Sequence, residues 1–504
     1  MGLTSSTYLI SLILLLTIYY LIPKKIQWFV LLVFSIIFIS FASNSWIVYL
    51  MILYGIGVTF FGAIFIENAK TDKRKNIYKI LTILMVLAQL IALKYLDFFV
   101  ITINGVSQIF GKNANLNHIS MVAPIGISFY SLISMGYVID VSRKTVKARK
   151  NIFKYMLYVL YFPQITSGPI TRYSDMDNKL FEGHEFRFRN IVFGFQRIIW
   201  GFFKKLVITE RVAIVVNTIF DNYTSYSGGY IIFGMICFAI QLYTDFSGCM
   251  DIVLGSSETL GIVLPENFET PFFSKSVSEY WRRWHITLGT WFKDYYFYPI
   301  LKSNFIQNMT KKLKPIVGKK WSKKIPTYIG MFALWVTIGL WHGGNYTYLI
   351  GSGILHWFYM TFGEIFKPLF KKIAKTLKMN EEWPVYKLMQ MIRTSLLVCI
   401  GFVFFRSSTV SQAVHMLGSI FVANWSMNIM TLGATKYDYL VLIFSVVLLI
   451  FVDILKTKYD IRKSIANQVV VFQYCIWICL IVGTLLFGLY GAGYDSSSFI
   501  YSKF

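Results

Sequence analysis

The sequence predicts an all-α polytopic membrane protein, and its composition, its long apolar runs and the placement of its basic residues each support that fold class. Hydrophobic residues make up 56% of the 504 residues and charged residues 14%, whereas soluble domains average about 25% charged residues. An apolar run of about 20 residues can cross a bilayer as a helix, and we expect about 10–12 such crossings. Candidate runs lie at 4–22, 26–42, 46–66, 78–103, 121–140, 206–220, 229–254, 326–341, 346–363, 388–406, 437–454 and 468–490.

The basic residues predict the orientation of these spans. Lys and Arg number 49 against 24 Asp and Glu, a formal net charge of +25. Nucleic-acid binding is one explanation of such a balance, but here the basic residues form short clusters between apolar runs, as cytoplasmic loops do. We therefore expect a lipid bilayer and no nucleic acid as partner. The positive-inside rule places both termini outside and the basic loops in the cytoplasm, at 67–77, 141–152, 302–324, 364–378 and 455–463.

Several common classes of protein are excluded by the sequence. No Lys or Arg precedes the run 4–22, which predicts an uncleaved first span rather than a signal peptide. The five cysteines form no CxxC pair, and most lie in apolar runs, where Cys acts as a small hydrophobe. There is no P-loop, HExxH pair or GxSxG elbow, and nothing indicates a metal.

The segment 162–170 contains two prolines and a glycine, so it cannot be a straight helix. A turn at the membrane surface would explain it. Alternatively it is a re-entrant segment facing a substrate cavity, because broken backbone at membrane depth is tolerated where it lines a wet cavity or is buried in protein. Gln164 is then a candidate polar residue of that cavity.

Two aspartates, Asp245 and Asp251, lie six positions apart in an otherwise apolar run, with Ser247 between them. An ionisable residue inside a membrane segment is a candidate functional residue. The alternative is that each carboxylate pairs with a neighbouring Arg or Lys and only stabilises the fold.

The sequence WRRWH at 281–285 combines tryptophans with two arginines and a histidine. Trp prefers the membrane interface and arginine extends its charge toward water there, so an interfacial amphipathic helix explains this composition without chemistry. Arg282 and Arg283 would equally suit binding of phosphate groups, since Arg pairs bidentately with phosphate. His285 is a candidate catalytic residue in this block.

The sequence GLWHGGN at 339–345 places His342 at the end of a short apolar run, before two glycines. Glycine lets backbone or ligand approach closely. Burial would keep this imidazole neutral, and neutral imidazole can act as a general base. Trp341 and Asn345 are candidate residues of the same site. The remaining histidines are expected to be structural: His118, His184, His356 and His415.

These blocks together resemble the membrane-bound O-acyltransferases of the bacterial alginate-acetylation type. The resemblance covers most of the chain and is best over residues 121–345. It implies tilted helices, with re-entrant and interfacial helices, around a central tunnel. The matching blocks are Pro124 to Phe129, Phe162-Pro163-Gln164, Gly168-Pro169-Ile170, Tyr243 to Gly248, Asn267-Phe268, Pro271-Phe272, Trp281 to His285 and Gly339 to Gly343.

The resemblance also implies the chemistry. His342 matches the family's catalytic histidine, and His285 matches a second histidine important for activity. The implied activity is acyl transfer from a cytoplasmic thioester to an acceptor on the other side of the membrane. Acetyl-CoA is the expected donor substrate, and no bound cofactor is expected. Candidates to attract its phosphates are Arg282, Arg283, Lys204 and Lys205.

In the polysaccharide-modifying branch, a separate extracytoplasmic SGNH esterase-like acetyltransferase carries the acyl group to sugar hydroxyls. We therefore expect such a partner in a bacterial plasma membrane, with a cell-wall or secreted polysaccharide as the indirect acceptor. The aromatic C-terminal tail, which includes Tyr501, resembles tails proposed to supply an acyl-accepting tyrosine. Alternatively, the aromatic residues of the tail pack as an apolar plug against the bilayer surface.

We expect one membrane domain over 1–504, with N-terminal spans at 1–120, a catalytic core at 121–345, and C-terminal spans and the tail at 346–504. Two other functions stay open. A related branch transfers D-alanine from a carrier protein to teichoic acid. A transporter could use Asp245 and Asp251 as an ion site, although no repeated halves of the kind that transporters often contain are visible.

Overall fold

The computed structural model of the chain describes residues 2–41, 45–112, 114–118, 124, 126–422, 425–490 and 499–500. These residues fold into α-helices joined by turns, loops and short 3₁₀- or π-helical segments. Within these ranges, strand-like pairing is limited to an isolated antiparallel bridge between Phe268 and Trp284. The predicted all-α polytopic membrane fold is confirmed.

The chain folds as two compact units. Unit 1 takes the described parts of residues 1–203, 246–265 and 490–504, and unit 2 takes residues 204–245 and 266–489. The expectation of a single membrane domain with boundaries near residues 120 and 345 stays a prediction.

The helices before residue 203 all belong to unit 1. They are α1 (Ser6–Leu21), α2 (Gln27–Ser40), α3 (Trp46–Glu67), α4 (Asp72–Leu90), α5 (Leu96–Ile109), α6 (Ile127–Ser142), α7 (Ile152–Leu160), α8 (Phe162–Ile165), α9 (Tyr173–Phe181) and α10 (Phe188–Phe202).

The next helices belong to unit 2, except that α12 contributes its residues from 246 onward to unit 1. They are α11 (Glu210–Asp221), α12 (Gly229–Thr259), α13 (Val277–Arg283), α14 (Ile286–Phe292), α15 (Tyr298–Leu301), α16 (Asn304–His342), α17 (Tyr346–Tyr348), α18 (Leu355–Ile365), α19 (Lys367–Thr376), α20 (Pro384–Arg406), α21 (Val410–Ser419), α22 (Lys436–Lys456), α23 (Ile461–Ala466) and α24 (Val470–Phe487).

Seven helices of the described chain are long and apolar enough to cross a membrane. Each overlaps a run predicted from the sequence. They are α3, the continuous helix Asp72–Ile109, α12, α16, α20, α22 and α24.

Other predicted runs are shorter or interrupted in the structure. The runs 4–22 and 26–42 form α1 and α2, helices of 16 and 14 residues. The runs 206–220 and 346–363 are divided, because π-helical turns at Phe203–Thr209 and Leu349–Ile354 interrupt their regular helix. The count of 10–12 crossings therefore stays a prediction.

Unit 1 has a core rich in tyrosine. The rings of Tyr137 and Tyr155 lie 4.8 Å apart, and Tyr173 lies 4.9 Å from both Tyr137 and Tyr158. Such tilted aromatic contacts add to the free energy gained by burying the ring area. The core thus joins α6, α7 and α9.

Two glycines let α10 approach the end of α12 closely. A Cβ on Gly194 would lie 2.6 Å from the carbonyl oxygen of Gly255, and a Cβ on Gly255 would lie 2.5 Å from the oxygen of Gly194. Small residues of this kind allow close backbone packing of membrane helices. Any larger residue at either position would force the two helices apart.

In unit 2, α16 carries the predicted catalytic histidine and has a break in its lysine-rich part. Gly318 adopts a φ of 77°, and Pro315 and Pro326 flank the break. Glycine reaches this left-handed region without steric cost, while proline cannot continue a regular helix. The apolar residues that follow the break end at His342.

Candidate active site

His342 is the last residue of α16 and is buried, with 3% of its surface exposed. Its ring centroid lies 5.2 Å from that of Trp341 and 5.6 Å from that of Phe405 on α20. The chain turns away at Gly343, which ends the helix. Aromatic side chains thus surround the imidazole on two sides and exclude water from it.

Glycine packing explains why α16 and α20 meet at this point. A Cβ on Gly339 of α16 would lie 3.2 Å from the Cα of Gly353 in the π-helical segment Leu349–Ile354. On the other side of that segment, a Cβ on Gly351 would lie 2.6 Å from the oxygen of Gly401 in α20. Because these glycines allow close approach, the segment fits between the two helices and brings Phe405 to His342.

His285 lies between α13 and α14 and has left-handed backbone geometry, with φ 47° and ψ 51°. Few residues other than glycine adopt this conformation, and it is often found at functional sites. Two backbone hydrogen bonds fix it, from the Ile286 amide to the Asn267 oxygen (3.1 Å) and from the Glu269 amide to the Arg283 oxygen (2.9 Å).

Asn267 holds the side chain of His285 in place. Its Oδ1 lies 3.3 Å from His285 Nδ1 and accepts hydrogen bonds from the amide and hydroxyl of Thr287, at 3.1 and 3.0 Å. An acceptor opposite Nδ1 favours the tautomer that carries the proton on that nitrogen. The other ring nitrogen, Nε2, is then the basic one.

The two histidines both lie near one tryptophan. The ring of His285 lies 6.0 Å from the ring of Trp341, which neighbours His342. Burial lowers the pKa of the His285 imidazole well below its usual value, and the nearby His342 lowers it further. His285 is therefore neutral at pH 7, and a neutral imidazole can take a proton from a hydroxyl group.

Asn345, predicted as a residue of the same site, has a structural position. Its Oδ1 accepts a hydrogen bond from the Thr347 amide at 3.1 Å and so caps α17, and its Nδ2 donates to the oxygen of Ser408 at 3.3 Å. These bonds fix the chain just after His342. Asn345 therefore supports the loop that follows the histidine.

Arg282 and Arg283 are both candidates for phosphate binding, but their side chains differ in exposure and in partners. The side chain of Arg282 is exposed. Arg283 instead donates to Glu279 Oε1 at 2.9 Å and to Thr270 Oγ1 at 3.1 Å. Partial burial lowers the pKa of Lys293, and the charge of Arg282 lowers it further, so these two cations are neighbours.

Lys204 and Lys205 are both buried in unit 2. Lys205 pairs with Asp245 and Glu210, each at 2.7 Å. This arrangement matches the alternative in which Asp245 pairs with a neighbouring lysine and stabilises the fold. Contact of either lysine with donor phosphates stays a prediction.

Gln164, Ser247 and Asp251 are buried in unit 1. Gln164 Nε2 donates to Thr171 Oγ1 at 3.0 Å, just after the broken segment. That segment is buried in protein, and the choice between a turn at the membrane surface and a re-entrant segment stays a prediction. Asp251 accepts from Arg197 Nε at 3.0 Å, again as a buried ion pair.

Two further expectations concern the acyl relay and a metal site. Tyr501, the predicted acyl relay, lies outside the described residues. The described residues contain no group of three or more His, Cys, Asp or Glu side chains that could hold a metal ion. Asn267 and Phe405 were not predicted as site residues, although Asn267 belongs to one of the matching blocks. The positive φ of His285 and the contact with Phe405 give no signal in the sequence.

The sequence of the chain is similar to that of known proteins. The profile of MBOAT, the membrane-bound O-acyltransferase family, matches residues 34–312. A probable alginate O-acetylase of Pseudomonas syringae pv. tomato is 32% identical over 337 residues, which cover 66% of this chain and 59% of that protein.

Two further relatives are named for transfer to peptidoglycan and to teichoic acid. A peptidoglycan O-acetyltransferase of Helicobacter pylori is 27% identical over 396 residues, 73% of this chain and 69% of that protein. A teichoic acid D-alanyltransferase of Bacillus subtilis is 30% identical over 301 residues, 57% of this chain and 69% of that protein. The family profile covers more than half of the chain and includes the WRRWH block. The chain belongs to the membrane-bound O-acyltransferase family.

Proposed function

We propose that this protein is a membrane O-acyltransferase that moves an acetyl group from a cytoplasmic thioester across the membrane, for O-acetylation of a cell-wall or secreted polysaccharide. The observation that carries the proposal is the buried pair His342 and His285, arranged around Trp341. Thioester chemistry needs a base in a site that excludes water, since water would hydrolyse the donor. His342 and His285 meet both conditions, because an imidazole can act as a base and both side chains are buried.

In the proposed reaction His342 acts as general base. It takes the proton of the attacking hydroxyl as the oxygen forms a bond to the thioester carbonyl carbon. The carbon–sulfur bond then breaks, and the proton passes to the thiolate that leaves. His285, oriented by Asn267, completes the site as a second neutral imidazole.

The donor is proposed to be acetyl-CoA, a substrate rather than a bound cofactor. Arg282 is exposed beside Lys293, so it can meet a phosphate group arriving from solvent. Arg283, Lys204 and Lys205 stay weaker candidates, because Arg283 and Lys205 already form ion pairs and Lys204 is buried.

The acceptor step is proposed to use a relay through Tyr501 and an extracytoplasmic esterase-like partner. The Tyr501 phenol would lose its proton to His342, attack the thioester and form a phenolic ester, while the thiolate leaves with the proton. A covalent intermediate splits a difficult transfer into two easier ones. The support is the aromatic tail of the sequence, and Tyr501→Phe tests it, because this change keeps the ring and removes only the hydroxyl.

D-alanyl transfer is the second candidate, and its support is the 30% identity to the teichoic acid D-alanyltransferase of Bacillus subtilis. The two acetylating relatives align over more of this chain, which favours acetyl transfer. In D-alanyl transfer the donor would be a carrier protein rather than CoA.

Both candidates are tested by removing the gene from its host and restoring it with wild type, His342→Gln, His356→Gln or Tyr501→Phe. Mass spectrometry of wall and secreted polysaccharides distinguishes acetyl esters from D-alanyl esters. We expect acetyl esters to depend on the protein, to vanish with His342→Gln and Tyr501→Phe, and to persist with His356→Gln. His356 is the matched control because it is a buried histidine of the same unit.

Two outcomes would contradict the proposal. Unchanged acetylation in the deletion strain would exclude the polysaccharide function, and loss of D-alanyl esters instead would establish the second candidate. Wild-type acetylation with a correctly inserted Tyr501→Phe protein would exclude the relay alone and leave the role of His342 standing.

A further inference from the structure

Helix α19, Lys367–Thr376, has an apolar face and a basic face on opposite sides. Residues three and four positions apart share a helix face. The apolar face consists of Leu369, Phe370 and Ile373, continued by Leu377, with exposed fractions of 47%, 45%, 46% and 64%. The lysines on the other side are Lys367, Lys371, Lys372 and Lys375, and all are exposed. Within the helix only Ala374 is buried against protein.

The apolar face of α19 continues an exposed row of phenylalanines on α18. Phe362 lies 5.5 Å from Phe358, 4.3 Å from Phe366 and 6.4 Å from Phe370, measured between ring centroids. All four rings are exposed by 37–50%. The span α20, which follows in the chain, also exposes apolar residues, such as Leu388 and Ile392. The apolar face of α19 is thus continuous with the exposed aromatic row of α18.

The charge around α19 is strongly positive. Residues 367–376 contain four lysines and no acidic residue. Of the nearby carboxylates, Glu364 pairs with Lys324 at 2.7 Å. Glu381 lies 3.9 Å from Lys371, and both side chains are about 60% exposed, so solvent weakens that pair.

We propose that α19 is a lipid-binding helix of the membrane interface, with its apolar face among acyl chains and its lysines on anionic phospholipid headgroups. One flat protein surface could not contact both faces of α19, because they point in opposite directions. A bilayer interface can, since long lysine side chains extend from the apolar boundary to the headgroups. The segment belongs to the basic loop predicted to be cytoplasmic, where anionic lipids attract basic helices.

The apolar half of the proposal is tested by photo-crosslinking in the full chain. A benzophenone amino acid replaces Ile373, the membranes are irradiated, and the adducts are identified by mass spectrometry. Lys375 carries the same probe as a matched control on the opposite face, since the two positions lie about 160° apart around the helix axis. We expect lipid acyl-chain adducts at position 373 and few or none at 375. Adducts of 373 with another protein, or with a second copy of this chain, would overturn the proposal.

The basic half is tested by lipid selectivity. The purified protein is placed in nanodiscs of phosphatidylglycerol and phosphatidylcholine, and the lipids retained after gentle release are counted by native mass spectrometry. We expect phosphatidylglycerol to be enriched about fivefold or more, and this enrichment to fall strongly in Lys371→Gln/Lys372→Gln/Lys375→Gln.

The matched control carries three lysine substitutions outside α19, Lys311→Gln/Lys312→Gln/Lys314→Gln, and should keep most of the enrichment. Equal retention of both lipids by the wild type would overturn the proposed headgroup site. An equal loss of enrichment in both triple variants would also overturn it, because the effect would then be one of net charge. Neither readout depends on acyl transfer, so the outcome is separate from that of the proposed function.

Discussion

Two buried polar regions of unit 2 differ in how their polar groups are satisfied. Around Lys205, two carboxylates, Asp245 and Glu210, each lie 2.7 Å from one ammonium group. Around His342, the neighbours within ring contact are the aromatic side chains of Trp341 and Phe405. The first region is a set of opposite charges, and the second is a buried imidazole beside aromatic rings.

This difference separates a structural role from a chemical one. Removing one partner of a buried ion pair leaves a buried charge uncompensated, so the lysine and the carboxylates together stabilise the fold. A neutral imidazole can gain and lose a proton during a reaction without exposing a permanent charge. Substitutions in the two regions should therefore change different measured quantities.

The largest effect is expected for His342→Gln. Removal of the general base should lower the rate of acyl transfer by about 10²–10⁴-fold, because a positioned base contributes that much to catalysis. Thioester consumption by the purified protein measures the rate, and thermal unfolding in detergent checks the fold. His356→Gln is the control. If His342→Gln keeps a rate within a few-fold of wild type, His342 is not the general base. The regions around His342 and Lys205 would then not differ in role.

Lys205→Met should act on stability instead. It leaves Asp245 and Glu210 buried with one cation fewer, which costs about 3–5 kcal/mol of unfolding free energy. Thermal and denaturant unfolding of the purified protein measure this loss. Lys463→Met is the matched control, since Lys463 forms an exposed ion pair with Asp460 and should cost less than about 1 kcal/mol. Equal losses for both variants would show that the buried pairs carry no special stability.

Asn267→Ala should reduce activity less than His342→Gln. It removes the acceptor of His285 and Thr287, and misplacement of a group in an active site costs about 10–100-fold. Steady-state kinetics at pH 7.5 measure the effect. Full activity in a stable protein would mean that the orientation of His285 is irrelevant to the reaction.

Asn267→Asp sharpens this test through pH. In the wild type, burial and His342 lower the pKa of His285, so its neutral form persists well below pH 6.5. A carboxylate beside Nδ1 favours the charged imidazolium and raises that pKa. The acid side of the rate profile should therefore move to higher pH. A uniform drop in rate without a shift would indicate a role for Asn267 in folding only.

The smallest effect is expected for Arg282→Gln. Because Arg282 is exposed, its loss should raise the KM for acetyl-CoA only a few-fold and leave kcat unchanged, with a weaker effect at high salt. Arg283→Gln is the control and should instead lower the melting temperature, because Arg283 pairs with Glu279 and Thr270. If Arg282→Gln instead lowers the melting temperature and Arg283→Gln raises the KM, then Arg283 meets the donor and Arg282 stabilises the fold.

The sequence by itself determined the fold class, the seven helices that are long and apolar enough to cross a membrane, and the two blocks that contain His285 and His342. These features are local, because apolar runs record their environment residue by residue and the WRRWH and GLWHGG blocks are continuous in the chain. Charge in loops likewise predicts a topology that labelling can test. None of this needs knowledge of which helices touch.

Only the tertiary structure decided which polar residues meet. Asn267 and His285 are 18 positions apart, and Lys205 and Asp245 are 40 apart. No periodicity in the sequence encodes such pairs, since they depend on how distant parts of the chain pack against each other. Hence Arg282 and Arg283, alike in sequence, differ in exposure and partners, and Trp341 lies near two histidines that the chain separates by more than fifty residues.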